Sequence, residues 1–225
     1  MNDILPQVAI WALPILFAIT AHEAAHGWMA LKLGDDTALR LGRVTLNPIP
    51  HIDIIGTVLL PLLMLTMSGF VFGWAKPVPV SWHNLHQPRR DMGLVALAGP
   101  TANLLMAIVW ALTIKISWLL FVNGFEQAEF FLRMGEAGIL INILLMILNL
   151  MPILPLDGGR ILYSLLPPNM ADQFGRLEPF GLIILLVLLV IGALGKILLP
   201  LINFIYEQIV WLTSITEPLL YLMKF

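Results

Sequence analysis

Residues 4–31 read ILPQVAIWALPILFAITAHEAAHGWMAL, a predominantly apolar run that carries His22-Glu23-Ala24-Ala25-His26 close to its end. On a helix, residues i and i+4 share a face. The imidazoles of His22 and His26 can therefore chelate one zinc ion, with Glu23 beside them in reach of a metal-activated water. Three titratable side chains are costly in hydrocarbon and need a reason to be there. A metal-dependent hydrolase working inside a bilayer supplies one; the competing reading is a chance HExxH in a buried polar network.

Composition puts the chain in a membrane. Of 225 residues 59% are hydrophobic and only 12% charged, against about 25% charged in a soluble domain, and mean hydropathy is +0.91. The formal net charge of −2 offers no broad basic face for nucleic acid. Cysteine is absent, which removes disulfides and thiolate zinc sites and leaves His, Asp and Glu as metal ligands. Residues 1–5 contain no Lys or Arg, so a basic leader region is missing and the first apolar run is expected to be retained.

Membrane-crossing helices need roughly 20 apolar residues each. The expected segments are 4–31, 54–72 (short, with Pro61), 93–121, 137–153, 181–199 and 200–222, the last two separated around Gly195 and Pro200. Residues 41–46 alternate enough for a short strand. Residues 72–85 hold Gly73, Trp74, Lys76, Pro77 and Pro79; prolines at alternate positions forbid helix and suit an extended edge. The expected fold is therefore an all-α polytopic membrane protein, with about five to six apolar helices and a short extended or β element near the active site. It forms a single domain over 1–225, with a core at about 4–166 and a C-terminal helical pair at about 179–222.

A second polar patch, Asn149-Leu-Met-Pro-Ile-Leu-Pro-Leu-Asp157-Gly158-Gly159-Arg160, interrupts the apolar background. Its prolines and glycines allow irregular backbone, which at membrane depth must be buried in protein or line a watery cavity. A catalytic zinc takes three protein ligands plus water. HExxH gives two nitrogens, and Asp157 is the best-placed third ligand. Asp35, Asp36 and Asp53 are weaker candidates, and Glu126, Glu129 and Glu136 fall on the far side of the topology set out below. Asn149 is the candidate uncharged donor to the oxyanion of an attacked peptide. Gly99, Pro100 and Asn103 read as helix packing, where small residues let helices approach. His51, His83 and His86 read as interfacial.

These pieces together resemble the site-2 proteases, the intramembrane zinc metalloproteases. The matching residues are HEAAH at 22–26, Gly99-Pro-Thr-Ala-Asn103, Asn149 to Gly159, and Phe72-Gly-Trp-Ala-Lys-Pro-Val-Pro-Val80, which resembles the extended element near that family's substrate access. The resemblance covers residues 20–160. It implies one Zn²⁺ per chain held by His22, His26 and Asp157, Glu23 as catalytic base, and a polar role for Asn149 near the scissile peptide. Neither a PDZ-like insertion nor a CBS tail is recognisable.

A closed metal site constrains topology. The histidines lie late in the first helix and Asp157 just past the end of the fourth, so these two helices must run in the same direction. Helix three runs opposite to helix four, so residues 32–92 must cross the membrane an even number of times. Only 54–72 is apolar there and it is too short to cross twice; a re-entrant or interfacial path bent at Pro61 is expected. The side where helix one ends then carries Lys32, Arg40, Arg43, Lys76, Arg89, Arg90, Arg160 and Arg176, against Arg133 and Lys115 towards the other. The positive-inside rule makes the first side cytoplasmic, most simply in a cell membrane.

The expected substrate is a transmembrane protein or peptide in the lipid bilayer, unwound locally and paired by strand addition along residues 73–80; nucleic acid is not an expected partner, and a homo-oligomer is compatible. Rival functions are a metal or ion transporter using the same His and Asp residues, a non-catalytic scaffold, and a membrane hydrolase of lipid amides.

Overall fold

A lipid-embedded backbone must satisfy its own polar groups, which favours helices, and helices dominate the architecture. The computed structural model describes residues 4–54, 56 and 76–223. The long α1 (Ile4–Lys32) is followed by α2 (Thr37–Arg40), a single turn, and a 3-10 turn at Ile49–His51. After residue 76 come an irregular strap, a 3-10 turn at Trp82–Asn84, and then α3 (Pro88–Val122) and α4 (Ala128–Asn149). Short helices α5 (Asp157–Leu165) and α6 (Pro168–Gly175) lead to α7 (Gly181–Val190), α8 (Ala193–Thr213) and α9 (Thr216–Leu222). Five stretches among the described residues are long and apolar enough to cross a membrane: Val8–Lys32, Pro88–Val122, Ala128–Asn149, Pro168–Val190 and Ala193–Thr213. This is the all-α membrane fold expected from composition.

Interhelix contacts fix the directions. His22 meets Asn103 and His26 meets Val95, so α1 and α3 are antiparallel. Asn103 meets Asn142, a Cβ on Gly138 would run into the Trp110 ring, and one on Gly135 into Ile114. Thus α3 and α4 are antiparallel as well, and α1 and α4 run the same way, as closure of the metal site requires. The chain that leaves α1 comes back to it: the His86 N–H donates to the Leu33 carbonyl at 2.9 Å. The main apolar core lies between α3 and α4 at Ile114, Leu132, Ile139 and Ile143, and α8 and α9 cover it through Leu198, Ile209, Ile215 and Leu219.

Several local expectations are corrected. Residues 41–46 form a turn and bend rather than a strand. Gly42 takes φ +65°, and the Thr45 and Asn47 side chains accept the N–H groups of Asn47 and Ile49, a local alternative to a ladder. No strand is formed among the described residues, so the expected β element near the site is instead the unpaired strap at 76–80. The break in the C-terminal pair falls at Gly192, whose φ of +71° ends α7, while Gly195 and Pro200 lie inside α8. A further break at Ser214 (φ 55°) sets off α9. The third and fourth helices begin earlier than hydropathy suggested, at Pro88 and Ala128. His51 is buried, not interfacial. The segment 54–72, expected to be re-entrant, lies almost wholly outside the described residues.

One buried carboxylate ties the turn after α1 to the strap. Asp35 is fully buried and accepts hydrogen bonds from the Thr37 N–H (3.1 Å) and hydroxyl, the Ser81 N–H (2.7 Å) and the Asn84 amide (3.0 Å). Burial pushes its pKa up, but these donors outweigh it and hold the carboxyl below the ordinary aspartate value. A carboxyl depressed in the folded state stabilises the fold above its unfolded pKa, and that stability drains away as pH falls through the folded value. Thermal midpoints of wild type and Asp35→Asn should therefore differ at neutral pH, and the gap should close as pH is lowered through the acidic range. A gap that does not change with pH would show that the Asp35 charge is not what holds this turn.

Candidate metal centre

Three elements present the site. α1 supplies His22 and His26 one turn apart. α3 packs across them at Gly99, where an added Cβ would sit 2.5 Å from His26 Nε2 and 2.6 Å from His22 Cε1. Only a residue without a side chain leaves room for both rings. Asp157 is the first residue of α5, reached through the turn after α4. The following glycines let that helix start against backbone. A Cβ on Gly158 would collide with the Leu150 carbonyl, and one on Gly159 would come within 2.5 Å of the Leu154 nitrogen. The DGG triplet is thus what allows the chain to fold back tightly enough to aim Asp157 at α1.

Asp157 Oδ2 lies 3.2 Å from His22 Nε2, and Oδ1 lies 3.5 Å from His26 Nε2. Ligand atoms of the three residues all fall within 4.8 Å of one another, as a metal ion would require. The hydrogen-bond network decides what these atoms carry. His26 Nδ1 is 2.7 Å from the Val95 carbonyl, which can only accept, so Nδ1 holds the proton. His22 Nδ1 is 2.6 Å from Asn103 Oδ1. The Asn103 amide cannot be reversed, because its Nδ2 donates to the Ala18 carbonyl (3.1 Å) and to Asn142 Oδ1 (3.0 Å). Asn142 is oriented in turn by donating to the Gly138 carbonyl at 2.8 Å. Both imidazoles therefore carry hydrogen at Nδ1, and the neutral form presents a bare lone pair at Nε2.

The two Nε2 atoms are 3.0 Å apart. In that tautomer neither has a hydrogen for the other or for Asp157, and Asp157 Oδ2 is buried without a hydrogen-bond partner. Three electron-pair donors thus converge with no proton among them, an arrangement that a divalent cation relieves. Outer partners that fix the ring and its tautomer commonly accompany a metal-binding histidine.

Glu23 points to the strap. Its Oε2 accepts the Val78 N–H at 2.7 Å. The strap's other donors are turned inward too: the Lys76 N–H goes to the His51 carbonyl and the Ser81 N–H to Asp35, while Pro77 and Pro79 have none. Only Val80 keeps an N–H for strand addition between 76 and 81, so this part of the expected 73–80 edge offers one donor; residues 73–75 lie outside the described residues. Asn149 makes no hydrogen bond with His22, His26 or Asp157; its Nδ2 donates to the Leu145 carbonyl of its own helix at 3.0 Å.

The chain is 37% identical to "Putative zinc metalloprotease YwhC" of Bacillus subtilis, over 92% of each protein. "Putative zinc metalloprotease Rip2" of Mycolicibacterium smegmatis is 28% identical over 85% of this chain and 71% of its own. Rip2 of Mycobacterium tuberculosis is 30% identical over 77% and 63%. The chain belongs to the site-2 protease family. No family model and no solved structure matches it.

For this site-2 protease, reading Gly99 and Asn103 as packing alone was too narrow, and Asn142 was not singled out at all. A signal existed: Val95, Gly99 and Asn103 recur at i, i+4 and i+8, one face of α3 with the same period as the histidine pair it meets. Asn103→Leu should lower metal affinity roughly 10- to 100-fold, the range for loss of a ligand's supporting partner. The thermal midpoint of the metal-free protein should fall as well, because the change leaves His22 Nδ1 and the buried Asn142 amide without their partner. Competition with a chelating dye, beside a melting curve, measures both, and unchanged affinity would remove Asn103 from the metal's support.

Proposed function

We propose that the chain is an intramembrane zinc metalloendopeptidase that hydrolyses peptide bonds within or near transmembrane segments of membrane proteins. The observation that carries this reading is the convergence of His22 Nε2, His26 Nε2 and an Asp157 oxygen, with Glu23 adjacent in sequence on α1. Two nitrogens and one oxygen with an open position suit zinc, and metalloprotease relatives point the same way. Bound there, Zn²⁺ would supply Lewis-acid polarisation of a peptide carbonyl and of a water.

The chain's own residues do the rest. Val95 and Asn103 keep the Nδ1 protons of His26 and His22 in place, so both Nε2 lone pairs stay directed at the site. Glu23 takes a proton from the attacking water and returns it to the leaving amine. Its Oε2 is engaged by Val78, which leaves Oε1 for that transfer. Asn149 is the uncharged donor for the oxyanion, and to act it must exchange the Leu145 carbonyl for the substrate. A transmembrane helix as substrate has its peptide groups bonded internally and must unwind before attack. Strand addition along residues 76–80 is not part of this proposal, because Val80 alone keeps an unbonded N–H there.

Purified protein should cleave a synthetic transmembrane peptide, and Glu23→Gln should lose at least ~10²-fold in rate, the usual share of a general base, while retaining zinc. Equal cleavage by wild type and variant would exclude Glu23 as base, and metal flux into liposomes without proteolysis would favour the transporter.

We infer that the reaction lies towards the cytoplasmic side; the basic residues grouped where α1 ends and α3 begins support that orientation. Single cysteines at the exposed positions 46 and 83 should both react with an impermeant maleimide from that side alone. Labelling from opposite sides would sink the topology.

A further inference from the structure

We propose that the Val78 backbone N–H positions the Glu23 carboxylate for proton transfer, and that Arg43 acts through it by holding the strap. This deepens the protease reading and rests on it. The strap runs Lys76-Pro77-Val78-Pro79-Val80. Proline has no N–H and a fixed φ, so over residues 77–79 the backbone is stiff and offers a single donor. That donor lies 2.7 Å from Glu23 Oε2, the short separation of a charge-assisted bond.

The strap is seated on α1 and anchored on both sides of Val78. The Val78 side chain is buried, 8% exposed, over Gly27, where an added Cβ would lie 3.2 Å from Val78 Cγ1 and 3.1 Å from Val44 Cγ2. Gly27 is one turn beyond Glu23, so the missing side chain brings the strap down beside the base. Before Val78, the buried Arg43 guanidinium donates through Nη2 to the carbonyls of Lys76 (3.3 Å) and Pro77 (3.2 Å), and the Lys76 N–H donates to the His51 carbonyl (3.0 Å). After it, the Ser81 N–H is held by Asp35 at 2.7 Å. A flexible carboxylate acts as a base only within hydrogen-bond reach of the proton it takes, and a misplacement of about 1 Å costs on the order of 10²-fold in rate. The strap fixes one carboxylate oxygen so that the other keeps one position.

The test compares Val78→Pro, which removes the N–H, with Val78→Ala, which keeps it, in the full-length zinc-loaded protein acting on a synthetic transmembrane peptide. Val78→Pro should lose roughly 10- to 100-fold in kcat, the span of a hydrogen bond to a charged group, with KM and zinc content unchanged. Val78→Ala, which keeps the N–H and gives up only part of the packing on Gly27, should lose clearly less than Val78→Pro. Equal kcat for Val78→Pro and wild type, or equal losses in both variants, would overturn the proposal. Should Val78→Pro fail to fold, Arg43→Gln and Arg43→Lys decide. A kcat loss at constant KM in Arg43→Gln, recovered in part by Arg43→Lys, supports positioning through the strap. An unchanged kcat, or a loss that lysine does not recover, refutes it. Glu23→Gln run alongside separates the two levels: if it cleaves like wild type, the protease reading itself has failed, whereas an inactive Glu23→Gln beside a fully active Val78→Pro removes only the strap's role.

Discussion

Two imidazole nitrogens and a carboxylate oxygen, all presenting lone pairs and none a proton, must meet inside an apolar bundle. Much of the fold follows from that constraint. It sets α1 and α4 parallel, because the ligands lie late in the first and just past the end of the second. It requires the chain between α1 and α3 to return to its starting side, as the Leu33–His86 backbone bond shows. It demands glycine at 99, where the rings pass α3, and at 158 and 159, where α5 starts against the preceding turn. Each of these is a local sequence choice with a steric cause.

The Asn103–Asn142 network belongs to the same constraint rather than to stability. Polar bonds between helices in membranes contribute only about 0.6 to 2 kcal/mol each, and well-packed apolar residues in place of both partners can be nearly neutral. Two wholly buried amides are therefore a poor way to hold α1, α3 and α4 together. They are an effective way to fix a tautomer. Beginning at the Gly138 carbonyl, each amide is oriented by an acceptor that cannot donate, so the proton on His22 Nδ1 has one possible place and the lone pair on Nε2 has one direction. On the other ring the Val95 carbonyl gives the same result with one bond.

The spacing of His22 and His26 and the parallel course of two distant helices were legible in the sequence, because the first rests on a short-range period and the second on a closure condition; Asp157, reached by ligand count and by resemblance, comes within 3.5 Å of both Nε2 atoms. What supports them was harder to see. Asn103 looks like helix packing when α3 is read alone, and its partners on α1 and α4 are 81 and 39 residues away. The C-terminal break is expected around Gly195 and Pro200, yet both lie inside α8, and a helix in lipid can accommodate proline when neighbours satisfy the freed carbonyl. The left-handed Gly192 is a sharper terminator, because helical φ is lost there. The alternation at 41–46 suggested a strand, but pairing needs a partner edge, and Thr45 and Asn47 satisfy the local backbone instead.

The strap shows how one residue property supports opposite readings. Prolines at 77 and 79 rule out a helix, and that much is certain from sequence. An extended segment without helix could serve as an edge for an incoming strand, or it could be a rigid carrier for a single donor. Which of these holds depends on where the Val78 N–H points. It points at Glu23, and the neighbouring donors at 76 and 81 also turn towards protein. An edge strand needs its donors facing outward, so the alternation of prolines is better explained by what it withholds. With no N–H at 77 or 79 to compete, the Glu23 carboxylate has one backbone partner in that stretch, held at a fixed height above α1.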